Sequence, residues 1–132
     1  MPHDDPLCPC GLGPYARCCG AYLDQGLAPP DAEALMRSRY TAYVLDRREH
    51  LLATWHASTR PAAIEPTEPG LRWLGLEVRA HRPTGADAAT VEFVARSKLG
   101  GRAQRLHEVS RFVREGGKWY YVDGRVERPR GR

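Results

Sequence analysis

No cysteine follows residue 19, and no apolar run in the 132 residues approaches the ~18 that a membrane-spanning helix needs. The opening MPHDDPLCPC has neither a basic n-region nor an apolar h-region, so no secretory signal is expected. Internal repeats and low-complexity segments are missing too. These absences exclude a helical membrane protein and a repeat array. They point to the cytosol, where structural disulfides are rare. The charge is equally uninformative. The net is +4, but RVERPRGR at 125–132 holds four arginines and one glutamate, which leaves only +1 for the rest. No basic DNA-binding face is therefore expected. The tail lacks interleaved aromatics and reads as a disordered, solubilising end. Contact with nucleic acid or the ribosome is a secondary expectation.

What is present begins with CPCGLGPYARCC, residues 8–19, which contains all four cysteines of the chain. Clustered thiols in a cytosolic protein suggest metal or redox chemistry rather than bridges. Redox motifs usually space their thiols C-x-x-C, whereas here C-x-C is followed by an adjacent pair. A bridge between Cys18 and Cys19 would be strained, because neighbouring Cβ atoms point apart. Zinc suits the pattern better: it takes four thiolates tetrahedrally at ~2.3 Å. Gly11, Gly13 and Gly20 allow sharp turns around such an ion, while Pro9 and Pro14 limit the loop entropy that binding must overcome.

CPCGLGPYARCCG resembles the SEC-C motif, a small zinc-binding module also found at the C-terminus of SecA. The match covers Cys8, Pro9, Cys10, Gly11, Gly13, Tyr15, Cys18, Cys19 and Gly20. The loop between Cys10 and Cys18 is one residue shorter than the motif's usual spacing, and Leu12 stands in place of its serine. Cys18 is accordingly the weakest of the expected ligands Cys8, Cys10, Cys18 and Cys19. The later stretches LMRSRYTAYV, LLATWH, WLGLEV, VEFVAR and SRFVREGGKWYYVDG resemble the YchJ-like family of uncharacterised bacterial proteins. That resemblance implies a nuclear transport factor 2-like (cystatin-like) cone, a curved sheet wrapped over helices. The SEC-C relation to SecA also makes contact with protein partners, the ribosome or a membrane surface conceivable.

Residue patterning agrees with such a cone. Pro29-Pro30 end the N-terminal module, and Asp31 is a good N-cap for a helix with Leu35, Met36, Tyr40, Tyr43 and Val44 along one face. Asp46 interrupts it, and Arg48–Trp55 should form a second helix. Residues 57–70 read as a Pro- and Thr-rich loop. Arg72–Arg82, Ala89–Lys98, Arg102–Arg114 and Lys118–Val126 read as strands, with Gly100-Gly101 and Gly116-Gly117 as hairpin turns. Helices followed by a meander make an α+β domain, with helices packed on one face of a curved antiparallel sheet. The expected divisions are a zinc module over 1–26, the cone over 27–126 and the basic tail over 127–132. Because the cone has its own aromatic core, metal is expected to stabilise only the module.

Two-residue turns fix a register: Ala95 opposite Leu106, Phe93 opposite Glu108, and Phe112 opposite Tyr121. Alternation then directs Val91, Phe93, Leu106, Phe112, Trp119 and Tyr121 inward, together with the polar Gln104, Glu108, Ser110 and Asp123. His107 and Arg111 point the other way, which splits the adjacent His107-Glu108 pair. The expected pocket comprises Arg37, Arg39, Tyr40, Phe93, Gln104, Glu108, Ser110, Tyr121 and Asp123. Glu108 is the candidate catalytic group, and Arg37 or Arg39 is its expected structural counter-charge. His56 reads as a helix C-terminal residue rather than a catalyst. Two functions fit. The chain is a zinc-stabilised binding module whose cone takes a small ligand or protein partner, or a small-molecule enzyme of cyclase, isomerase or dehydratase type.

Overall fold

Asp31 starts the main helix as its composition suggests: its side chain accepts a 2.8 Å hydrogen bond from the Ala34 amide. In the computed structural model, which describes residues 6–127, a single 3-10 turn at Tyr15–Arg17 precedes α1 (Cys19–Leu23). Then come α2 (Ala32–Leu45), α3 (Arg48–Ala53), β1 (Arg72–Gly85), β2 (Ala88–Leu99), β3 (Arg102–Glu115) and β4 (Lys118–Val126). Asp46 ends α2 in the left-handed conformation at φ 58°, with its amide turned back to Ala42 and Tyr43. A short polar side chain tolerates that geometry. The expected tail at 127–132 lies outside the described residues except for Glu127, whose amide bonds the His107 carbonyl at 2.7 Å.

The helix expected over Arg48–Trp55 stops at Ala53. Thr54 Oγ1 donates back to the His50 carbonyl at 2.7 Å, an alternative to the helical ladder that polar side chains offer at helix ends. The chain then leaves the helix to pair with β4. Trp55 bridges Tyr121, the Tyr121 amide bonds Thr54 O at 2.8 Å, and the His56 amide bonds Tyr121 O at 2.7 Å. Edge groups of β4 are thus covered at its middle.

The four strands form one antiparallel sheet in sequential order. Both Gly-Gly turns adopt paired positive φ values, 59° and 79° at Gly100-Gly101 and 59° and 80° at Gly116-Gly117. This is the type I′ signature that suits strand twist. Ala95 faces Leu106, Phe93 faces Glu108 and Phe112 faces Tyr121, as the turn lengths require. One residue beyond, a bulge between Arg111 and Phe112 shifts the pairing so that Arg111 faces Asp123. Asp123 therefore does not point into the cone. It forms a two-pronged ion pair with Arg111, 2.7 Å from Nε and 2.6 Å from Nη2. Three further register shifts in β1 add curvature.

The sheet curls over α2. Leu35, Met36 and Tyr40 of the helix are buried in one cluster with Val91, Phe93 and Phe112. Cys8, Cys10 and Cys19 belong to that same cluster, each 2% exposed or less. Packing thus does not keep the cysteine module apart from the cone. Leu51, 1% exposed, anchors α3; full burial of such a side chain contributes ~1.5–3 kcal/mol.

Behind α2, His50 Nε2 lies 2.9 Å from Ser38 Oγ. That hydroxyl donates to the Leu35 carbonyl, so it accepts from the imidazole. Burial, and then the Arg39 and Arg47 charges, pull the His50 pKa from 6.5 to about 4. The unfolded chain takes up a proton below 6.5 that the folded chain refuses until about 4. The contribution is therefore complete above 6.5 and falls as pH drops through this window. Melting curves of the native chain and His50→Gln across pH 7 to 4 should converge as pH falls. Parallel curves would show that the imidazole does not titrate differently on folding.

Candidate metal centre and adjoining cavity

A tight loop gathers the cysteines. The Cys8 amide donates to Gly13 O at 2.7 Å, and the Gly11 amide to Cys8 O at 2.9 Å. Gly11 sits at φ 89°, where a side chain would be strained. Gly20 is required for a different reason: a Cβ there would fall 2.7 Å from the Tyr15 carbonyl and 2.9 Å from its ring. With these contacts in place, the sulfurs of Cys8, Cys10, Cys18 and Cys19 all lie within 4.8 Å of one another. Tetrahedral metal–thiolate bonds of ~2.3 Å imply sulfur–sulfur separations of ~3.8 Å, so the donor set fits one ion. Cys18, the weakest expected ligand, joins the group, its sulfur 3.4 Å from that of Cys10. It is the only one of the four that is not fully buried.

Charge explains why such a cluster suits a cation. Hydrogen bonding from Cys19, then the Leu12 amide and the other thiols, holds the Cys10 thiol down near 5 against the upward pull of burial. Burial and then the bond to Cys10 raise Cys18 to about 12. Cys19 is pushed up by its bond to Cys10 and by burial. Clustered thiols of this kind oppose one another's ionisation, and a divalent ion among them would offset that repulsion.

Helix α2 forms the back of this site. Cys8 Sγ lies 3.7 Å from Thr41 Oγ1, and Arg37 Nη1 donates to the Cys10 carbonyl at 3.2 Å. Arg37 also pairs with Glu33 at 3.0 Å. It therefore supports the cysteine loop and is not part of the cone, contrary to the sequence expectation.

From the same helix, Met36, Arg39, Tyr40 and Tyr43 line a cavity of about 300 Å³. Its other walls include Trp73, Phe93, Phe112 and Tyr121, with Glu108 and Ser110 among them. Of the expected pocket residues, Arg39, Tyr40, Phe93, Glu108, Ser110 and Tyr121 come together here. Gln104 does not: it is exposed, and its Oε1 accepts from Ser97 Oγ at 3.4 Å. Trp73 and Tyr43 were missed as wall residues. Tyr43 lay on the apolar stripe of the helix, whereas the register shift between Trp73 and Gly75 hides Trp73 from simple alternation.

Glu108 turns inward, but it has no cationic partner within 4 Å among the described residues. Its Oε2 accepts from Ser110 Oγ at 2.9 Å. Space for it comes from Gly124, because a Cβ there would overlap the Glu108 carboxylate. Arg39 stacks instead on Tyr121 and Trp55, 4.4 and 5.0 Å from the ring centres. Its Nη1 donates to Leu51 O and Thr54 Oγ1, both at 2.8 Å. His107 is on the far face, 2.7 Å from Glu92, so the His107-Glu108 pair is indeed split. His56 bonds Glu115 at 2.8 Å, away from the cavity walls.

No helix among the described residues is long and apolar enough to cross a membrane. Residues 31–124 match the family model described as YchJ, middle NTF2-like domain. A UPF0225 protein from Methylibium petroleiphilum is 73% identical over 122 residues, covering 92% of this chain and 90% of the relative. Two solved structures share the fold. A SEC-C motif containing protein from Rhodopseudomonas palustris, determined in solution, superposes with a TM-score of 0.82 at 32% identity. It covers 93% of this chain and 100% of the other. A sec-c motif containing protein from Psychrobacter arcticus, determined by crystallography, gives 0.76 at 30% identity, covering 95% and 85%. With the cysteine cluster, the four-stranded cone and these matches together, the chain belongs to the YchJ-like UPF0225 family, and it joins a four-cysteine cluster to an NTF2-like domain.

Proposed function

We propose that this protein is a zinc-stapled binding module whose cone takes a small ligand. The observation that carries the reading is the sharing of α2: Arg37 and Thr41 back the thiols, while Met36, Arg39, Tyr40 and Tyr43 line the cavity. A metal at Cys8, Cys10, Cys18 and Cys19 would brace the helix that shapes the ligand site. Zinc is the ion best suited to four thiolates, being tetrahedral and redox-inert. The reducing cytosol would keep the thiols free to bind it.

Chain purified without chelator should carry one equivalent of zinc, by elemental analysis. Because three of the thiols lie in the main core, removing the metal should lower the melting temperature of the whole domain by several degrees, not merely loosen the N-terminal loop. An unchanged melt after verified zinc loss would mean that the metal braces nothing beyond its own loop.

Glu108 provides a second check. A carboxylate neutralised by a buried arginine would cost ~3–5 kcal/mol to replace. Here the one bond from Ser110 can be kept by an amide oxygen. Glu108→Gln should therefore change stability by less than about 1 kcal/mol, measured by denaturant titration. A loss several times larger would establish a structural ion pair and remove this residue from the ligand site.

A further inference from the structure

Two charged groups in the cavity wall lack a direct ion-pair partner among the described residues, and one indole N–H lacks an acceptor. Arg39 is 5% exposed and has no carboxylate within 4 Å among the described residues. Burial draws its pKa down to about 10, which leaves it cationic at neutral pH. Hydrogen bonds from Nη1 and two aromatic faces support it, but its one nearby carboxylate, Glu108, acts from beyond ion-pair distance, an expensive arrangement for a buried charge. Glu108 presents the opposite charge in the same cavity, likewise with no direct ion pair among the described residues. The indole Nε1 of Trp73, another wall residue, is buried without an acceptor. Between these groups the lining is apolar, with Phe93 and Phe112.

Each charge rules out a simple ion of its own sign. A plain carboxylate ligand would meet Arg39 favourably and Glu108 unfavourably; a plain amine would meet the reverse. In a site walled by aromatic rings both penalties are large, because little water screens them. A molecule with both charges satisfies both walls. The volume of about 300 Å³ sits at the lower end of small-molecule sites, ~300–1,000 Å³, which fits a metabolite of amino-acid size and excludes a folded partner. The aromatic lining calls for a flat apolar body.

We propose that the cavity binds a small zwitterion with an aromatic body, the chemistry of a free aromatic amino acid, its carboxylate at Arg39 and its ammonium at Glu108. This rests on reading the cone as a ligand site. The ring occupies the space between Phe93, Phe112 and Trp73. Ser110 holds the Glu108 carboxylate toward the ammonium, and the vacant side-chain position at Gly124 leaves that carboxylate room.

Calorimetric titration of the zinc-loaded full chain with four compounds tests this: L-phenylalanine, 3-phenylpropionate without the amine, 2-phenylethylamine without the carboxylate, and toluene. L-phenylalanine should bind at least tenfold more tightly than either singly charged analogue. Glu108→Gln should erase its advantage over 3-phenylpropionate while keeping its advantage over 2-phenylethylamine. Equal binding of the zwitterion and either analogue overturns the proposal, as does selectivity unchanged by Glu108→Gln. If toluene binds and L-phenylalanine does not, the zwitterion is refuted and the cone still stands as a ligand site. Failure of all four refutes both.

Discussion

Helix α2 is held between two sites that want opposite things from it. On the side of the thiols it supplies Thr41 and Arg37, and packs against sulfur atoms that are almost fully buried. On the cavity side it carries a cation into an aromatic wall. Neither placement is cheap. Four thiols brought within 4.8 Å of one another resist joint ionisation unless a cation sits among them. A guanidinium removed from water needs every donor and ring face it can find. Each arrangement is stable because the helix is fixed, and the helix is fixed because both faces are engaged.

The sheet completes the cavity by geometry as much as by chemistry. Its tight I′ turns set which side chains face inward, and the bulge between Arg111 and Phe112 changes the answer over a single residue. Before the bulge, Tyr121 enters the core opposite Phe112; after it, Asp123 leaves for the outer face and Gly124 takes the position beside Ser110. Had the ladder run on unbroken, a second carboxylate would have stood near Glu108. The bulge leaves one carboxylate and one guanidinium in the cavity, which makes its charge balanced overall yet unpaired locally.

Much of this was legible in the residue order, for identifiable reasons. Glycine pairs at 100-101 and 116-117 demand positive φ, so turn length, register and the inward placement of Phe93, Glu108 and Tyr121 followed together. Thiol spacing announced a metal-sized cluster. Less legible features depend on contacts between distant segments. Gly124 inside β4 is the one local sign of a bulge, but it does not fix where the pairing shifts, so alternation sent Asp123 inward. Helical spacing alone could not tell that Arg37 reaches the Cys10 carbonyl while Arg39, two residues on, reaches the cone. Glu108 was expected to need an arginine. The carboxylate is instead satisfied by Ser110 in space that Gly124 leaves open, an arrangement visible only once β3 and β4 are side by side.

The dependence of the cone on the cysteine cluster through α2 is tested most directly by amide hydrogen exchange, followed residue by residue with zinc present and after its removal. Protection should fall throughout Ala32–Leu45, including at Met36, Arg39 and Tyr40 on the cavity side, and at the β2 residues beneath them. Loss of protection confined to residues 6–27, with α2 unchanged, would contradict the coupling of the two sites.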